Sequence, residues 1–158
     1  MNDDANEPEM SEHVSDHDEE LSDLLERCCA EVGLNYLMLA DSVGVLPFSV
    51  GEDSQRIDIF ITERGDAIVF HARVEGEFSS LDLQPGGLLA RLLHRNSRST
   101  YGHWAIEESD KGFVFALVYA IDRESLDGDL FERIVHRMLG EHRRFPEILS
   151  SGSPTDVQ

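Results

Sequence analysis

A chain of 158 residues with 41% hydrophobic content is expected to form one domain that buries roughly two-thirds of its unfolded surface. Its formal net charge of −19, from 32 acidic against 13 basic residues, argues against nucleic acid and against anionic membranes as partners, because both are held by cationic contacts. The charge is uneven: residues 1–26 hold eleven acids and no Lys or Arg.

Residues 1–14 are read as a disordered acidic arm, since a block of like charges repels itself and buries nothing. The start has neither a basic nor an apolar leader region, so no signal peptide is expected. A single domain is expected over residues 15–149, opening on a helix capped by Ser15 and Asp18. Leu21, Leu24, Leu25, Cys28, Cys29 and Val32 recur at helical spacing, and Gly33 stops the helix. Adjacent cysteines in a helix make a poor disulfide, which suits reduced core thiols in a cytoplasmic protein.

Leu34 to Val50 is ambiguous. Tyr36 to Leu39 suits either a helix extension or a strand, and Val43 to Val50 looks extended, with Pro47 fitting only an edge position. Polar residues and Pro47 interrupt it too often for a membrane span. Ile57, Ile59 and Ile61 then alternate with Asp58, Phe60 and Thr62. Across the turn at Glu63–Asp66, Ile68, Phe70, Ala72 and Val74 alternate with Val69, His71 and Arg73, which predicts a β-hairpin. Pro85 suits the first position of a short helix, on which Leu88, Leu89, Leu92 and Leu93 are taken as one apolar stripe and Asn96 as the stop.

Tyr101 to Ile106 is read as a strand, followed by a turn and by Gly112 to Ile121, an uncharged run with the composition of a central strand. Leu130, Phe131, Ile134, Val135, Met138 and Leu139 mark the strongest helical periodicity, with Asp127 and Asp129 at the positive end. Residues 150–158 are a polar tail. The order is helix, three strands, helix, two strands, helix: an α+β domain whose antiparallel sheet carries helices on one face. Its other face is then wet or an interface.

The second half of the chain carries a family likeness. The leucine helix ending at Asn96 is followed by Tyr101-Gly-His-Trp-Ala-Ile106, then by Gly112 to Ile121, and then by Leu126-Asp-Gly-Asp-Leu130 and a helix closing on Phe145-Pro-Glu-Ile-Leu149. This succession resembles the YbjN-type sensory transduction regulators and the type III secretion chaperones. The resemblance implies a small, non-enzymatic protein-binding module that dimerises and holds a client or regulatory partner, without a cofactor.

On that expectation Phe60, Val69, His71 and Trp104 are candidates for partner binding, and Leu88, Leu92, Val114 and Val118 for a homodimer interface. Two alternatives belong to other classes. One is a small enzyme or ligand-binding domain with a pocket lined by His71, His103 and Trp104; the other is an acidic mimic acting through residues 1–26 on a basic partner. His13 and His17 have a spacing that suits a divalent metal on a helix, but no third ligand accompanies them, and no metal site is expected. Gly86-Gly87 lacks the Lys and Ser/Thr of a phosphate loop. Arg91, Arg95 and Arg98 form a basic cluster suited to the acidic arm or to an acidic partner.

Overall fold

Alternation along the strands decides which side of the sheet meets the helices. The computed structural model describes residues 19–51, 55–76, 78 and 87–150. Its elements run α1 (Leu21–Val32), β1 (Leu37–Ala40), β2 (Val43–Val50), β3 (Gln55–Arg64), β4 (Ala67–Arg73), α2 (Leu88–Asn96), β5 (His103–Ser109), β6 (Gly112–Asp122), a 3-10 turn (Arg123–Ser125), α3 (Gly128–His142) and α4 (Phe145–Ser150). The strands form one antiparallel sheet in the order β1-β2-β3-β4-β6-β5.

The α+β class and the one-sided sheet agree with the sequence expectation. Four strands precede α2, however, because the ambiguous Leu34–Val50 stretch forms β1 and β2. Pro47 is accommodated where, among the described residues, β2 has a neighbour on one side only: β1 pairs with Val43 to Val45, while β3 pairs with all of β2. The acidic arm, the expected cap at Ser15, the His13/His17 pair, Pro85 and the tail beyond Ser150 lie outside the described residues.

Paired residues in antiparallel strands point to the same side. Leu46 opposite Ile59, Ile61 opposite Phe70, and Ala72 opposite Leu117, itself opposite Trp104, therefore share one face. All are buried in a single core with Leu21, Leu24, Leu25, Cys28 and Cys29 of α1 and Phe131, Ile134, Val135 and Met138 of α3. The central strand behaves as its composition predicts, with Phe115 and Leu117 fully buried. Burial pushes both cysteine thiols up to about 11, so they are unreactive core groups.

The helix ends follow local chemistry. Gly33 adopts the left-handed conformation (φ 70°) and closes α1. The Asp127 carboxylate accepts the Leu130 N–H at 2.7 Å and caps α3. Arg123 ties three elements together: its guanidinium donates to Glu63 on β3 and to the main-chain oxygen of Glu19 before α1, while its own N–H donates to the Asp66 carbonyl at 2.8 Å.

Gly44 lets α1 settle onto β2, since a Cβ there would stand 2.3 Å from Leu25 Cδ1. Leu25 is fully buried and has little room to yield. Gly44→Ala is therefore expected to destabilise the domain by about 1–3 kcal/mol, seen as a lower urea midpoint. In a Leu25→Ala background the added methyl should cost little or nothing.

Candidate functional site

On the side of the sheet away from the helices, one row of side chains crosses all six strands. Leu37, Val45, Phe60, His71, Val118 and His103 stand successively opposite one another from β1 to β5. A second row places Thr62 beside Val69 and Ala120. Apolar groups dominate the first half of this face. On edge strand β1, Leu37 and Leu39 are 55% and 60% exposed.

A shallow hollow of about 320 Å³ lies in this face, lined by Val43, Phe60, Thr62, Val69, His71 and Val118 with Arg64, Arg73 and Glu107 around them. Its polar side is organised by Glu107 of β5. His71 Nε2 lies 2.6 Å from one carboxylate oxygen, and Arg73 Nε donates to the other at 3.0 Å. Arg73 stands opposite Ala116 and Glu107 opposite Val114, so this ion pair passes over β6, where Val114 and Ala116 are buried. The hollow thus combines an apolar floor with a fixed cluster of charge, which suits a peptide carrying both side-chain types.

A different network holds α2, β5 and α3 together on the opposite side. The Asn96 side chain pairs with the Trp104 backbone, donating to its carbonyl at 2.9 Å and accepting its N–H at 2.7 Å. The residue expected only to stop α2 therefore also docks it on the edge of β5. The Trp104 ring packs on Phe145 with centroids 5.0 Å apart, and its Nε1–H donates to Glu141 at 3.2 Å. Arg95 grips both oxygens of the same carboxylate at 2.6 and 2.8 Å. The Arg95 guanidinium holds the Glu141 carboxyl below its ordinary value of 4.5, against the opposing effect of burial and with a further contribution from Trp104.

Phe60, Val69 and His71 come together on the open face. Trp104 does not join them, because alternation turns it toward the helices, where it is buried. For the same reason the pocket expected from His71, His103 and Trp104 is not assembled: the histidines and the indole lie on opposite faces, and Val118 stands between His71 and His103. Among the described residues no group of three or more His, Cys, Asp or Glu is arranged to hold a metal.

The four residues read as a dimer surface also separate. Leu88 and Leu92 point into the chain's own core, Val114 is buried, and Val118 lines the hollow. The leucine stripe splits, because successive helical residues lie about 100° apart, and α2 exposes Leu89 and Leu93, at 36% and 69%. Ile106 on β5 is also exposed. The doubled spacing of those leucines was the available signal. Glu107 and Glu141 gave none, since their partners lie far away in sequence.

The chain matches the model of the Tir chaperone protein (CesT) family over residues 23–145. No curated protein sequence shows significant similarity to it. Among solved structures, a chain of the HopA1–SchA chaperone–effector complex is 15% identical with a TM-score of 0.58, covering 80% of this chain and 92% of that one. YbjN from E. coli is 18% identical with a TM-score of 0.57, covering 82% and 90% respectively. A chain of the heterodimeric ExoU–SpcU complex of the Pseudomonas aeruginosa type III secretion system is 20% identical with a TM-score of 0.53, covering 78% and 95%.

The Glu141 network is sensitive to acid. Because the folded value lies below 4.5, the stability contributed by this carboxylate is complete above that pH and is lost as the pH falls through the lowered value. Glu141→Gln should cost about 2 kcal/mol at neutral pH through loss of charge-assisted hydrogen bonds. The Tm gap between the two proteins should narrow as acid is added below that value.

Proposed function

Because the chain belongs to the Tir chaperone protein (CesT) family, it is a chaperone-like protein-binding module, and we propose that it holds an extended client segment across the open face of its sheet. The observation that carries this is the row from Leu37 through Phe60 to Val118, which no helix of the described residues covers and which is too apolar to be a simple solvated surface. Phe60 and Val69 serve as apolar anchor points, while His71, Arg73 and Glu107 orient polar groups of the client. The role is one of binding without a catalytic step. No helix among the described residues is long and apolar enough to cross a membrane, and buried, unpaired thiols suit the reducing cytoplasm.

A homodimer fits the same role, with its contact on the exposed side of α2. Leu89 and Leu93 are neighbours one turn apart on that helix, and Ile106 adds apolar surface on the adjoining edge strand. Leu88 and Leu92 support this contact from beneath by holding α2 on the core.

The client test uses the partner that co-purifies from the native cell. Phe60→Asp with Val69→Asp should weaken that complex by tenfold or more, about 1.4 kcal/mol, while the circular dichroism of the free protein stays that of a folded chain with a lowered Tm, because both side chains are half-buried in interior strands. Unchanged binding would rule out the open face as the place where the client is held. For the dimer, light scattering should give twice the 17.8 kDa chain mass, and Leu93→Asp should return a monomer. Leu93 is exposed, so this change leaves the core intact.

A further inference from the structure

A second concavity, of about 530 Å³, lies between the C-terminal half of α3 and the end of α2 with the loop after it. Arg95, Arg98, Arg137 and Arg144 line it, joined by His94 and His136, with Glu141 as the one carboxylate in its wall among the described residues. That carboxylate is already gripped by Arg95 and by the Trp104 indole. Arg98 and Arg137 have no ion-pair partner among the described residues. A local excess of positive charge therefore sits on a chain whose formal charge is −19. Ser99, Thr100 and Tyr101 add hydroxyl groups to the wall, and Gly140 leaves its floor open, with nothing within 4 Å of where a Cβ would stand.

We infer that this groove is the docking site of the chain's own acidic N-terminal segment, residues 1–18. The segment has seven carboxylates and no Lys or Arg, the charge complement of the groove. Its length also suffices. The segment ends next to Glu19, whose main-chain oxygen is held by Arg123. From Arg123 to Gly128 the chain spans at most about 18 Å, and α3 rises about 18 Å from Gly128 to Gly140. The groove therefore lies within about 45 Å of the segment's root, against a reach of about 60 Å for eighteen extended residues.

Tethering presents the carboxylates at an effective concentration in the millimolar range, enough for contacts that are individually weak to persist together. Such contacts are screened by salt.

The test places a nitroxide on the full-length chain at Ser11→Cys; Cys28 and Cys29 are buried and have thiols raised to about 11, so they escape labelling. At about 0.02 M salt the amide signals of Thr100 and Gly140 should lose at least half their intensity, and they should recover at about 0.5 M salt. Arg98→Ser with Arg137→Ser should abolish the effect without altering the melting curve, because both side chains are exposed. Broadening that is absent, or that persists in the double variant, would overturn the proposal. So would broadening of an unlabelled chain mixed with the labelled one, which assigns the groove to another copy's segment. A glutamate-rich peptide that shifts these amides while the chain's own segment leaves them untouched would assign the groove to an acidic partner, and would equally overturn it.

Discussion

The register of six antiparallel strands is the constraint from which the rest of this molecule follows. Each strand sends alternate residues to opposite sides, and pairing keeps those sides aligned from Leu37 to His103. Ile59, Ile61, Phe70 and Leu117 thereby meet α1 and α3 in one core. The same alternation leaves Phe60, Val69, His71 and Val118 together on the other side. A slip of one residue in β3 or β4 would exchange the two sets and expose the core.

The two faces differ in how their polar groups are managed. On the open side, Glu107 is shared by His71 and Arg73 and bridges β6 from above. On the helical side, Glu141 is shared by Arg95 and Trp104 and joins elements that lie far apart in sequence. Each carboxylate satisfies both oxygens, which partial burial demands. The first arrangement organises the polar side of the hollow; the second ties α2, β5 and α3 to one carboxylate.

Much of the architecture was legible from local pattern. The Ile57–Val74 hairpin, the uncharged strand and the long C-terminal helix all appear where periodicity puts them. What escaped was set by distant neighbours. Leu88 and Leu89 look alike in sequence, and only the docking of Asn96 on Trp104 decides which one is buried. Trp104 is a different case: as the neighbour of His103 in β5 it must face the other side, a signal that strand alternation already carried. Of the candidate site, Phe60, Val69 and His71 were legible because the hairpin assigns them to one side together. Glu107 was not, because its role exists only once β4, β6 and β5 lie side by side.

Pro47 bears on what can grow from the sheet. Beyond the short β1, the outer flank of β2 is unpaired from Pro47 to Val50 among the described residues, and proline has no N–H with which to receive another strand. An incoming chain on this side therefore finds only the four residues of β1 as a template, too brief for the continuous pairing that seeds fibrils. On this side, a sheet whose surface invites extended segments can thus accept one without recruiting copies of itself into an open-ended stack.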